Sequence, residues 1–252
     1  MTETKEISSA DNSSGATGQL ALAVVIPVYN EQDAVKQVLE EWCDALCKIG
    51  VRFCIFVYND GSKDKTADQL ADVAREYPDC IRVVNKPNSG HGPTILRGYR
   101  ETAGLAEWIF QVDSDNEMGP DSFSELWENR DAFDFLAGTR QGRSQVFPRS
   151  IISFVSRLVI RFFYGKNTIW DVNTPYRLMR AEMFRGLFSK IPDDTFAPNL
   201  IVSGFVAKAN LPYKQIEVPH RNRQTGEVSI KKWRLFKASL HAFLQTICFA
   251  VR

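Results

Sequence analysis

LALAVVIPVYNE, residues 20–31, decides the fold. Its first nine residues, Leu20 to Val28, carry no charge, are rich in β-branched side chains and are too few for a buried helix. They read as a strand covered on both faces, as parallel sheets require. Asn30 then stands where it can cap a helix predicted through Ile49. The same unit recurs outward from this stretch. RFCIFVY (52–58) is a second strand, ending at Asn59-Asp60-Gly61-Ser62 before a helix to about Tyr77, and IRVVN (81–85) is a third. The loop KPNSGHG (86–92) delivers Pro93 to a helix N-terminus, where its missing N–H is harmless. EWIFQV (107–112) runs directly into Asp113-Ser114-Asp115. Short apolar runs alternating with helix-period segments predict an α/β fold, a Rossmann-like and mostly parallel sheet flanked by helices. Ligands of such sheets bind beyond the carboxyl ends of the strands.

The second half is less regular. FDFLAG (133–138), TPYRLM (174–179) and YKQIEVPH (213–220) read as strands, and SIISFVSRLVIRFFYG (150–165) and APNLIVSGFVAKAN (197–210) as helices. No internal repeat or linker divides the chain. Residues 1–19 are polar, small and without an apolar stretch, which predicts a disordered leader and not a signal peptide. From about Ile230 to Val251, Trp233, Phe236, Leu240, Phe243, Leu244, Ile247 and Val251 recur at helical spacing, opposite Lys232, Arg234, Lys237, His241 and Gln245. That predicts an amphipathic helix over 230–252, lying at a membrane surface or packed as an ordinary last helix, after a domain spanning 20–229. No apolar run approaches the ~18 residues of a spanning helix.

A chain of 252 residues with a formal net charge of +1 offers no global field for nucleic acid, so any electrostatic signal is local. Its 5 cysteines show no CxxC pair and read as buried free thiols of a reducing compartment.

Asp113 and Asp115 are the most informative pair. Two carboxylates just past a strand end can converge on one hard divalent cation, Mg²⁺ or Mn²⁺, which wants oxygen ligands and shares them with substrate phosphates. Alone, such a pair is more often a turn and a helix cap. Its company changes the reading. VVIPVYNE (24–31), YNDGSKDKT (58–66), NSGHGPTILRGY (88–99) and QVDSDNE (111–117) stand in the order and spacing that resemble the family 2 glycosyltransferases of GT-A fold, and among them the polyprenyl-phosphate hexosyltransferases. The resemblance spans roughly residues 20–230, with Asn59 where the family pattern has an aspartate.

The resemblance implies inverting transfer of a sugar from a UDP- or GDP-linked donor to a lipid phosphate, with Mg²⁺ or Mn²⁺ as cofactor, on the cytoplasmic face of a membrane. Pro27, Tyr29, Glu31 and Asp60 are then expected around the base and ribose, although Glu31 and Asp60 would also suit helix starts. Asp115 is expected on the metal, Asp113 on metal or ribose, and Glu117 as a third oxygen. Arg140, Arg149, Arg177, Arg221, Arg223 and Ser229, with Arg143 nearby, are the acceptor-side candidates, because guanidinium forks suit phosphate. Asp171 would position the acceptor, or act as base toward a hydroxyl. His91 reads as a loop residue near the donor.

Other classes fit less well. A processive synthase would carry a QxxRW motif and spanning helices, a nucleotidyltransferase a Gly-rich, Arg-containing opening loop, and a non-catalytic sugar-nucleotide binder would not need both acids. A transferase acting on a soluble glycan, a lipopolysaccharide intermediate or a protein hydroxyl shares the donor half and differs at the arginines.

Overall fold

The computed structural model describes residues 19–141, 149–165, 169–221 and 232–251. The leader expected over residues 1–19 thus falls almost wholly outside them, as do Arg143, Arg223 and Ser229. Strands β1 (Leu20–Val28), β2 (Phe53–Asp60), β3 (Ile81–Lys86), β4 (Ala106–Gln111), β5 (Phe135–Gln141), β6 (Arg177–Arg180) and β7 (Tyr213–Pro219) form one sheet in the order β3-β2-β1-β4-β6-β5-β7. Every pairing is parallel except those of β6, which runs antiparallel to both β4 and β5. The carboxyl ends of the other strands therefore share one edge, and β6 begins there.

Period-2 alternation assigns each side chain of the central strands to one of two cores. In β1, Ala23 and Val25 face one layer while Leu22, Val24, Ile26 and Val28 face the other. The second layer is built around Trp42, Phe110, Phe123 and Tyr176, with Trp42 and Phe110 ring centroids 5.1 Å apart and Phe110 and Phe123 4.8 Å apart. It is covered by α1 (Val35–Ile49) and α2 (Thr66–Glu76) and by the short α4 (Phe123–Asn129). The first layer is covered by α3 (His91–Thr102), α5 (Arg149–Phe163), α6 (Ala181–Phe188), α7 (Pro198–Lys208) and α8 (Lys232–Val251). Helix α3 lies close enough on β1 that a Cβ at Gly98 would come within 2.4 Å of Val25 Cγ1.

Two local expectations change. Asn30 does not cap α1, which starts at Val35 behind Ala34. Instead Asn30 takes φ 55°, accepts the Lys63 N–H at 2.8 Å and receives support from Ser62 through its own N–H at 3.0 Å. Of the cysteines, Cys43 and Cys54 are buried, with burial pushing their thiols up to about 12 and about 11, whereas Cys47 and Cys248 are exposed. Helix α8 is attached to the domain. Ala242 and Thr246 are buried against α5 and α7, and the Tyr164 hydroxyl donates to the Thr246 carbonyl at 2.8 Å. Among the described residues no helix is long and apolar enough to cross a membrane.

Candidate active site

The loops after β1 and β2 are laced together. Thr66 Oγ1 accepts the Glu31 N–H at 2.9 Å, Asp64 accepts the Gln32 N–H at 3.3 Å, and Gln32 Oε1 accepts the Lys65 N–H at 2.9 Å. The polar residues of YNDGSKDKT thus hold the VYNE loop beside the end of β2. Asn59 donates to Asn85 at 2.8 Å and accepts the Ser62 N–H at 3.1 Å, a crosslink to β3 that an aspartate there could not make as donor.

Asp60 is the centre of the next layer. Its side chain is only 5% exposed, and it accepts the Ser89 and Gly90 N–H groups at 2.8 and 2.9 Å and pairs with the buried ammonium of Lys86. Burial alone would raise its pKa; the Lys86 and backbone donors outweigh that and hold the carboxyl below the ordinary aspartate range. Lys86 also reaches Ser89 Oγ at 2.7 Å and Thr94 Oγ1 at 3.0 Å, so one cation fixes the start of α3. Gly92 must be glycine here, because a Cβ would meet the Phe196 carbonyl oxygen at 2.1 Å.

Beyond β4, Asp113 accepts from Gln111 Nε2 at 3.0 Å and lies 3.6 Å from His91 Nε2. Gln111 belongs to a buried cluster in which Asn199 donates to it at 3.0 Å and the Tyr99 hydroxyl approaches Asn199 at 2.8 Å. Asp115 Oδ1 accepts the Glu117 N–H at 3.1 Å. Among the described residues no group of three or more His, Cys, Asp and Glu could hold a metal by itself. Two hard carboxylates on one cleft nonetheless fit Mg²⁺ or Mn²⁺, which complete their shell with phosphate oxygens and water.

That cleft has a volume of about 610 Å³ and is lined by Pro27, Tyr29, Glu31, Asp60, Asp113, Asp115, Arg140 and Asp171, all foreseen from sequence, together with His91, Thr94, Phe196 and Asn199. Arg140 NH1 is 3.8 Å from Asp171 Oδ2, and its buried Nε has no hydrogen-bond partner among the described residues. A guanidinium that lines the cleft and is only loosely paired is a place for an anion.

A sequence profile described as "Glycosyl transferase family 2" matches residues 23–188. The chain belongs to that family. Relatives of this family 2 chain include the undecaprenyl-phosphate 4-deoxy-4-formamido-L-arabinose transferase of Klebsiella pneumoniae (strain 342), 28% identical over 217 residues that cover 85% of this chain and 64% of the relative. That of Edwardsiella ictaluri is 27% identical over 208 residues, covering 82% and 62%. The chain spans a little under two thirds of their length. Among solved structures, glucosyl-3-phosphoglycerate synthase from Mycobacterium tuberculosis in complex with Mn²⁺, UDP and phosphoglyceric acid superimposes with a TM-score of 0.65 at 15% identity, covering 92% of this chain and 78% of that one. The likeness establishes the GT-A fold.

Not every family 2 candidate reaches the cleft. Arg177 is wholly buried beneath it, donating to the carbonyls of Thr174 at 2.7 and 2.9 Å and of Asn199 at 3.1 Å; burial lowers its pKa. It shapes the Asp171–Pro175 turn and offers no fork to a ligand, so the structure moves it from the acceptor side to the floor. Arg221 is likewise turned away. It donates to Glu41 at 2.7 Å, Asn116 at 3.2 Å and Asp121 at 2.6 Å, and its N–H reaches the Glu117 carbonyl at 2.9 Å. Desolvation opposes its charge, but the two carboxylates raise its pKa. Glu117 borders a small hollow with Asp113, Asp115 and Arg140, while its Oε2 lies 3.2 Å from His220 Nε2. Arg149 opens α5. Lys86, Gln111, Tyr99 and Asn199 were not foreseen. Only Lys86, at a strand end beside a glycine loop, had a signal in the sequence.

Proposed function

We propose that this chain transfers a hexose from a nucleoside diphosphate, UDP or GDP, to a polyprenyl phosphate, with inversion, while docked on the cytoplasmic face of a membrane. The observation that carries the reading is the cleft at the carboxyl edge of the sheet, which gathers Asp60, Asp113 and Asp115 and the Arg140–Asp171 pair in one lining. The names of the curated relatives agree in acceptor class.

In this reading Pro27, Tyr29, Glu31 and the Asp60 layer receive the nucleoside. Asp113 and Asp115 would hold Mg²⁺ or Mn²⁺, which supplies Lewis acidity for the departing diphosphate. Gln111 and the Asn199–Tyr99 cluster keep Asp113 oriented. Arg140, which lines the cleft, takes the acceptor phosphate through its guanidinium, with Arg149 and Arg223 as further candidates. A phosphomonoester is largely ionised at neutral pH, its second pKa being near ~6, so Asp171 positions the acceptor and need not deprotonate it.

The test is a screen of UDP- and GDP-sugars with a short polyprenyl phosphate and Mg²⁺ or Mn²⁺, read by product mass. The mass also separates a hexose from the arabinose derivative in the relatives' name. Metal-dependent glycosyl-phosphoprenol that disappears with Asp115→Ala is the expected result. Transfer to soluble glycans or to glycerol phosphate alone would replace the lipid acceptor with the soluble one.

A further inference from the structure

We propose that Trp170, together with Arg157 and the outer stripe of α5, forms a seat for the first isoprene units of the acceptor, so that the tail leaves the cleft along α5. This rests on the polyprenyl-phosphate reading and adds to it the path of the hydrocarbon.

Trp170 immediately precedes Asp171, which lines the cleft and pairs with Arg140. Its side chain is 70% exposed, although an indole is among the groups that gain most from leaving water. It is held in place. The Trp170 backbone N–H donates to Gln215 Oε1 at 2.8 Å, and the Arg157 guanidinium lies over the indole ring at 4.4 Å from the centroid. The buried Nε of Arg157 has no hydrogen-bond partner among the described residues.

From Arg157 the apolar surface continues along α5. Phe154, Leu158 and Phe162, each four residues from the next, are 60%, 55% and 80% exposed. Helix α5 carries Arg149, Arg157 and Arg161 and no acidic residue, and Leu240 and Leu244 of the neighbouring α8 are also exposed. An apolar stripe on a helix whose only charged residues are arginines complements an amphiphile whose head is an anion. The cleft lining includes the polar Asp60, Asn88 and His91. The stripe is joined to the cleft through Arg157, Trp170 and Asp171.

The experiment uses Trp170→Ala, Trp170→Phe and, as an independent change at an exposed position, Phe162→Ser. Each is assayed with geranyl phosphate, with a long-chain polyprenyl phosphate in detergent, and with tail-less glycerol phosphate. Trp170→Ala should raise KM for geranyl phosphate about tenfold, leave donor KM unchanged, and treat glycerol phosphate as the parent does. Trp170→Phe should recover most of the loss, and Phe162→Ser should weaken only the long acceptor. If the parent uses prenyl phosphates and Trp170→Ala and Phe162→Ser match it, the seat is wrong and the acceptor reading stands. If the parent uses none, both fall. An equal loss toward all acceptors would assign Trp170 to the fold. A parent that dimerises in sedimentation, with the dimer abolished by Phe162→Ser and acceptor KM unmoved, would give the stripe to a second copy of the chain.

Discussion

Arg221 shows how much a single side chain can couple. It bridges α1, through Glu41, to the segment that trails the acidic pair, through Asn116 and Asp121, and its backbone holds Glu117. Asn116 sits at φ 55° inside this bracket, so the loop carrying Asp115 is kept in a conformation it would not choose alone. Arg221→Ala is expected to raise the Mn²⁺ concentration for half-maximal activity by at least about tenfold and to leave acceptor KM unchanged, measured by metal titration of initial rates. Arg221→Lys should recover little, since one ammonium cannot replace a planar fork. The Asp60–Lys86 pair makes a second prediction. A carboxyl whose folded pKa is depressed adds stability above the unfolded value, near ~3.9, and loses it as pH falls through the folded one. Asp60→Asn should therefore cost about 3 kcal/mol at pH 7, where it strands a buried Lys86, and progressively less below about pH 4, as read by urea unfolding. At this scale the carboxylates were legible because motif spacing fixes them at strand ends. The arginines were not: a guanidinium at 177 or 221 has the same letter whether it meets a phosphate or a carbonyl, and only tertiary neighbours decide.

Among elements, α8 has the most divided role. Its inward face, Ala242, Thr246 and the partly buried Phe243 and Phe249, joins the core, while Leu240, Leu244 and Val251 remain exposed. Gln245 accepts the Phe196 N–H at 2.9 Å and donates to the Asp194 carbonyl at 3.2 Å, so the helix also supports the loop that closes the cleft over Gly92. Two experiments separate these roles. Ending the chain at Ile230 should lower Tm by roughly 5 °C or more, because it uncovers Ala242 and Thr246's partners. Leu240→Ser with Leu244→Ser should leave Tm in place and reduce flotation with anionic vesicles about tenfold. The helix was legible from its periodicity, but which part of the stripe faces inward was not, because period alone does not say where the neighbour lies. The short helices α4 and α6 went unread for a related reason: at 7 and 8 residues they are too brief to show a period.

At the scale of the molecule, the sheet and its site edge were legible because each strand of the first half is a mainly apolar run ending in a polar loop, and parallel order gathers those ends. Donor binding should be visible in the whole fold. UDP or GDP with Mn²⁺ at a hundred times Kd should raise Tm by roughly 5–10 °C, and chelation or Asp115→Ala should remove the shift, measured by scanning fluorimetry.

Among the described strands β6 alone is reversed, with a consequence for the segment before it. Because β6 lies beside β5 and antiparallel to it, with Phe135 opposite Met179 and Ala137 opposite Arg177, the chain leaves the sheet and returns to the adjacent place. Everything between Gln141 and Arg177, including α5, Trp170 and Asp171, is topologically an oversized hairpin tip. The length of this excursion does not set the register of any other strand, although Ile160, Tyr164, Ile169 and Val172 tie it to the core. On the proposed reading, Trp170 and Asp171 of the acceptor side would lie on this excursion, while Pro27, Tyr29, Glu31 and Asp60 of the donor side lie outside it. A chimaera carrying residues 142–176 from a relative should keep its nucleotide preference and inherit the relative's acceptor, with the substrate screen as readout.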